Sequence, residues 1–143
     1  MNESIRKKLG NLFKEQRFAV IATQANDEPY TNLVSFLVEK NFKKIYFPTS
    51  KKTKKYKNLS SNFRISILID NRVNKPKDIK NAIAVTGIGI SKEIKDTDVT
   101  KKFLKKHPYL KDFINSKDCA MIEIEIEKYI IVDNFQNVNI FNF

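Results

Sequence analysis

The sequence predicts a mainly β fold with peripheral helices: six or so mostly antiparallel strands closed into a small barrel. Three observations carry this. Short β-branched and apolar runs recur between clusters of turn residues. The stretch "CAMIEIEIEKYIIVD" (119–133) alternates strictly, with Ile122, Ile124 and Ile126 on one face and Met121, Glu123, Glu125 and Glu127 on the other. That is the pattern of a strand with one buried and one wet face. No repeat or low-complexity linker divides residues 1–143, which read as a single domain. An α+β sandwich would use the same elements and stays open on pattern alone.

The elements follow in order. Residues 3–16 place Ile5, Leu9, Leu12 and Phe13 on one helical face, with Asn2 or Ser4 as the cap. "RFAVIATQ" (17–24) is a strand, "ANDE" is turn chemistry before Pro29, and "YTNLVSFLVE" (30–39) returns as the second arm of a hairpin. After "KNFK", "KIYFPT" (44–49) is a third strand, ended by Pro48. A short helix from Lys51 to Ser61 follows, capped by Ser50, with Tyr56, Leu59 and Phe63 as its inner face. "FRISILID" (63–70) is the fourth strand. "AIAVTGIGISKEI" (82–94) is the fifth, with Gly87 and Gly89 marking a bend or bulge. Residues 98–118 are helical and broken near Pro108, and 119–133 is the last strand.

Several chemistries are excluded. One cysteine, Cys119, allows no internal disulfide, and with the single His107 no Cys/His zinc site forms within the chain. Three glycines exclude a Walker-type loop and a full GxGxxG motif. His107, among lysines at a helix break, reads as a surface histidine, and Cys119 as a small buried hydrophobe. The row Glu123, Glu125, Glu127 reads as a solvated strand face, and no acidic cluster has metal-binding spacing. No catalytic side chain stands out, so hard chemistry would belong to a cofactor. The N-terminus lacks the apolar segment of a signal peptide, and no apolar run reaches the roughly 20 residues of a membrane helix, so the cytoplasm is the expected location.

The formal charge is +11, yet the cations are almost all lysine; only Arg6, Arg17, Arg64 and Arg72 are arginine. The global charge therefore reads first as solubility and compositional background. "FPTSKKTKKYKNLSSN" (47–62) holds five lysines and no acid. Lys51 and Lys52 would fall in the first turn of its helix, where the dipole prefers anions. Free amides, the hydroxyls of Thr49 and Ser50, and nearby lysines could together cradle one phosphate. On the residues alone, a solvated helix face is the favoured reading, because lysine is common throughout the chain.

The ordered segments "RFAVIATQANDEPYTNLVSFLV", "KIYFPTS" and "KKYKNLSSNFRISILI" resemble the pyridoxamine 5′-phosphate oxidase-like family, the FMN-binding split β-barrels. Lys55, Asn58 and Leu59 match its K-x-x-N-L pattern, and Asn62, Arg64, Ile65 and Ser66 match its N-x-R-[VI]-S pattern. "VTGIGISKEI" and "IEIEIEKYIIVDNF" resemble its later strands, so the likeness covers roughly residues 5–135. It implies a six-stranded antiparallel split β-barrel and a homodimer with FMN at the subunit interface. It implies that Thr49, Ser50, Lys54 and Lys55 hold the FMN phosphate, with Asn58 in support and Lys55 foremost. It implies that the flavin ring takes backbone hydrogen bonds along Asn32, Leu33, Val34 and Ser35. The family's oxidases carry an arginine where Lys54 stands, and a C-terminal arginine and histidine that "NVNIFNF" lacks, so vitamin B6 oxidation is not expected. The expected function is that of an FMN-dependent oxidoreductase or flavin carrier, with a small-molecule redox partner. Related barrels bind the deazaflavin F420 or haem, which remain alternatives. A nucleic-acid-binding barrel using Tyr30, Phe36 and Tyr46 as stacking platforms is the third, less favoured because strand aromatics read more readily as core.

Overall fold

The computed structural model describes residues 1–143. Helix α1 (Glu3–Glu15) starts where Asn2 accepts a hydrogen bond from the Ile5 amide at 2.8 Å, and it buries Leu9, Leu12 and Phe13. Strands β1 (Phe18–Ala25) and β2 (Glu28–Ser35) form a hairpin with Ala25 opposite Glu28. Its two-residue loop has both residues at positive φ, Asn26 at 52° and Asp27 at 60°, a turn that suits the twist of a hairpin and that these side chains tolerate.

The second arm does not run straight to its end. It breaks at Phe36 and continues as β3 (Leu37–Val38), which pairs with β4 (Lys44–Ser50) and not with β1. The remaining elements are α2 (Lys54–Ser61), β5 (Arg64–Asp70), α3 (Asp78–Asn81), β6 (Ala84–Ile94), α4 (Thr97–Lys106), α5 (Lys111–Ile114), β7 (Cys119–Asp133) and β8 (Asn137–Asn142). All pairings are antiparallel, in the order β2-β1-β5-β6-β7-β4-β3, with β8 beside β7. Since β2 and β3 are consecutive on one bent strand, the sheet curls until its two ends meet. This is the expected six-stranded antiparallel barrel with peripheral helices. The count of strands rises to eight because one strand changes partner and because β8 adds a short hairpin arm.

Closure is incomplete. β2 pairs only with β1, so its other edge faces β4 without a ladder. An unpaired edge leaves alternate backbone N–H and C=O groups free. Inside, Ile21, Phe36, Phe47, Ile67, Ile124 and Tyr129 are among the fully or almost fully buried side chains. A smaller cluster of Tyr46, Val99, Phe103 and Met121 seats α4 on the barrel wall. The register of β6 against β7 shifts between Ile88 and Gly89, which is the bulge the two glycines implied. A Cβ on Gly89 would collide with the Glu125 carbonyl oxygen, so only glycine fits there.

Four sequence expectations are corrected. α2 begins at Lys54 under a Thr53 cap, not after Ser50, because the chain makes a tight turn through Lys51–Thr53 first. Phe63 is 58% exposed, since Asn62 is already extended and breaks the helical period that aligned Phe63 with Leu59. Glu123 is buried, its carboxylate held near Lys44 at 3.4 Å and Lys92 at 3.5 Å, while Glu125 and Glu127 are exposed as expected. His107 is fully buried. At the end of α4 its ring turns inward onto Phe103, with Nδ1 2.9 Å from the Tyr109 hydroxyl and Nε2 2.9 Å from the Phe36 carbonyl. No helix is long and apolar enough to cross a membrane.

Candidate functional site

The end of β4 and the start of α2 form one polar corner. Thr49 is buried, and its hydroxyl lies 3.0 Å from that of Thr53. The Thr53 hydroxyl donates to the Ser50 carbonyl at 2.8 Å and accepts from the Tyr56 amide at 3.4 Å, which caps the helix. Thr53 was not among the residues singled out from the sequence. Its signal was present, a hydroxyl directly before two lysines at a helix start, but Ser50 offered a competing cap. Ser50 instead supports the turn, its Oγ accepting from the Lys52 amide at 3.2 Å.

The five lysines divide by partner. Lys51 lies 3.8 Å from Glu93 and Lys52 lies 3.2 Å from Asp118, so these two precede the helix and are neutralised by acids from other elements. Lys54 donates to Glu28 at 2.6 Å and lies 5.0 Å from the centre of the Tyr30 ring. Lys57 is exposed. Lys55 is half-buried and has neither a hydrogen bond nor an ion pair to any protein group, and burial holds its ammonium below the usual lysine value of 10.5. The first turn of α2 contains no acid, and the amides of Lys54 and Lys55 have no protein acceptor. A desolvated cation beside two free N–H groups at the positive end of a helix is a receptor for a compact anion.

Across the seam lies β2. Tyr30 and Asn32 share its inner face, opposite Thr23 and Ile21, and Tyr30 reaches the first turn of α2 through Lys54. The Asn32 Oδ1 is buried without a hydrogen-bond partner. Val34 is buried in the core on that same face, whereas Leu33 is 67% exposed on the outer face, with half-buried Ser35 two residues on. The side chains of residues 32–35 therefore diverge, and what they share is the unpaired backbone edge. Asn58 is buried and donates to the Thr23 hydroxyl at 3.0 Å, which fastens α2 to β1. Its contribution to the corner is to hold the helix.

Acid–base groups are scarce here. Both ring nitrogens of His107 are engaged, and burial pushes the Cys119 thiol up from its usual 9.0. No three His, Cys, Asp or Glu side chains gather closely enough to hold a metal ion.

A curled antiparallel barrel with one unladdered seam, and a cationic helix start beside it, defines the split-barrel class. The family model described as pyridoxamine 5′-phosphate oxidase matches residues 5–133, and the chain belongs to that family. No curated protein matches the sequence. Among solved structures, the heme binding protein from Mycobacterium smegmatis superposes with a TM-score of 0.83 at 14% identity, over 99% of this chain and 59% of that one. General Stress Protein 26 from Bacillus anthracis str. Sterne gives 0.77 at 18% identity, over 97% and 98% of the two chains. HutZ, the heme storage protein from Vibrio cholerae, gives 0.74 at 14% identity, over 85% and 89%. At these identities the likeness is one of fold. This chain spans about three-fifths of the Mycobacterium protein.

Proposed function

We propose that the protein binds FMN at the seam as a homodimer, and serves as an FMN-dependent oxidoreductase or flavin carrier. The observation that carries this reading is Lys55, a half-buried ammonium without a counter-ion. The donor set fits a phosphate monoester: the Lys55 ammonium, the free amides of Lys54 and Lys55, and the Thr49 hydroxyl, with Thr53 capping the helix that carries them. Lys54 joins them to the extent that it leaves Glu28. The β2 edge offers backbone groups to a ring, and Asn32 Oδ1 is a free acceptor beside it. Bound FMN would supply hydride or single-electron transfer; the protein's part is to anchor the phosphate and align the ring.

The outer face of the sheet supports a second subunit. The register places Leu33, Val20, Leu68, Thr86, Ile130 and Ile140 in one transverse row across six strands. All but Thr86 are apolar, and Leu33 and Ile140 are well exposed. An apolar band of that extent on a lone barrel calls for a partner, and a second copy is the simplest.

Haem is the second reading, favoured by two structures of the same fold, a heme binding protein and a heme storage protein. His107 offers no iron ligand while both its nitrogens are engaged. The test is an absorption spectrum of the purified protein, with release and identification of any chromophore. A flavin supports the proposal. A haem Soret band or a deazaflavin spectrum replaces the ligand and keeps the fold. A colourless protein that takes up no added FMN sinks it.

A further inference from the structure

A second cleft, of about 540 Å³, lies between α1, the β3–β4 turn and α4. It shares no residue with the seam. Lys14, Lys40, Lys102, Lys105 and Lys106 stand around it, against one carboxylate, Glu39, and none of these five lysines is ion-paired. Leu37, Val38 and parts of Phe13 and Phe42 supply its apolar lining. Lys106 is fixed there: its Nζ donates to the Phe13 carbonyl at 2.8 Å and lies 4.1 Å from the centre of the Phe36 ring.

Gly10 is an independent observation. It sits in the interior of α1, where glycine costs about 0.5–1 kcal/mol relative to alanine. Sterics do not require it, because a Cβ there would meet only Phe42 Cζ at an ordinary 3.7 Å. The other two glycines both lie in the tightly packed stretch of β6. The third keeps one wall of the cleft bare, which is what close approach of a ligand to a helix demands.

We infer that this cleft binds a medium-chain carboxylate, its head among the lysines and its alkyl chain along Leu37, Val38, Phe13 and the bare backbone at Gly10. The volume falls in the range of small-molecule sites, roughly 300–1,000 Å³. The aliphatic lining distinguishes the occupant from a free phosphate ion, which would gain nothing from it.

The experiment titrates the full-length protein with dansylated undecanoate, follows fluorescence, and displaces the probe with laurate. Saturable binding is expected. It should weaken about tenfold or more in Lys102→Gln/Lys105→Gln, whose positions are exposed and helix-tolerant, and again in Gly10→Leu, which fills the wall. Gly10→Ala should keep binding and melt slightly higher. Uptake of FMN should be unchanged in all of these variants, which separates this cleft from the seam. Unsaturable binding, full binding in both the lysine double variant and Gly10→Leu, or equal displacement by inorganic phosphate would each overturn the inference.

Discussion

Lys54 and Lys55 are adjacent on one helical turn and differ in their electrostatic state: Lys54 donates to Glu28 at 2.6 Å, while Lys55 is half-buried with no counter-ion. Two lysines that look alike in the sequence thus have different capacities. Burying a cation without a partner disfavours the free protein and favours an anion that fills the gap.

Replacing Lys55 with alanine should weaken FMN binding by about ten- to a hundredfold, the range for losing one charge-assisted contact to phosphate. The unliganded variant should melt no lower than the parent, because the ammonium removed there had no protein partner. Lys57→Ala, at an exposed position on the same helix, should leave both quantities unchanged. Quenching of flavin fluorescence on titration measures the affinities. Equal losses at Lys55 and Lys57 would return the lysine stretch to general electrostatics.

Leu33→Lys puts a charge at the most exposed apolar position of the outer row. Light scattering should show a monomer, with helix and strand content retained by circular dichroism. FMN loading should fall with dimerisation even though the Leu33 side chain points away from the seam. A dimer that survives this change would place the interface elsewhere.

Gly89→Ala should destabilise the fold by about 3 kcal/mol or more, since the new methyl meets a backbone carbonyl that cannot move aside. Gly87→Ala should cost less, as its methyl would meet the ends of Ile126, Ile67 and Tyr129 at 3.0–3.1 Å, and side chains can adjust. Urea unfolding of the two variants orders them. The reverse order would contradict the bulge geometry.

His107 sets an acid limit. Burial, helped by the nearby cations Lys106 and Arg17 and opposed by the bond to the Phe36 carbonyl, holds its imidazole below the ordinary 6.5. The unfolded chain therefore takes up this proton first as pH falls, and stability drops on acidification through 6.5. Melting temperature should decline from pH 7 to pH 5 more steeply in the parent than in His107→Gln. Parallel slopes would remove His107 from the account.

Most strands were readable because alternation and turn residues are local signals. The hairpin needed only "ANDE" between two β-branched runs, and the bulge needed only Gly87 and Gly89. The strand β8 escaped because Val138 and Ile140 alternate over too short a run, and their apolar side chains point outward where no core marks them. The change of partner at Phe36 escaped for another reason: a strand that leaves one neighbour for another keeps the same alternation throughout.

Residue pattern alone determined short antiparallel strands and a basic helix after β4, because periodicity and capping act over a few positions; the choice of a barrel over an α+β sandwich, and of Lys55 among the lysines, came with the family resemblance. Folding decided which cations are neutralised and which are bare. Glu28, Glu93 and Asp118 come from three other parts of the chain and reach Lys54, Lys51 and Lys52 only once the barrel has curled. It also decided that His107 is core and not surface, since its two hydrogen-bond partners and its Phe103 neighbour meet only where α4 packs against the bend at Phe36. Charge pairing and burial depend on distance in space, and short-range sequence pattern carries no record of that distance.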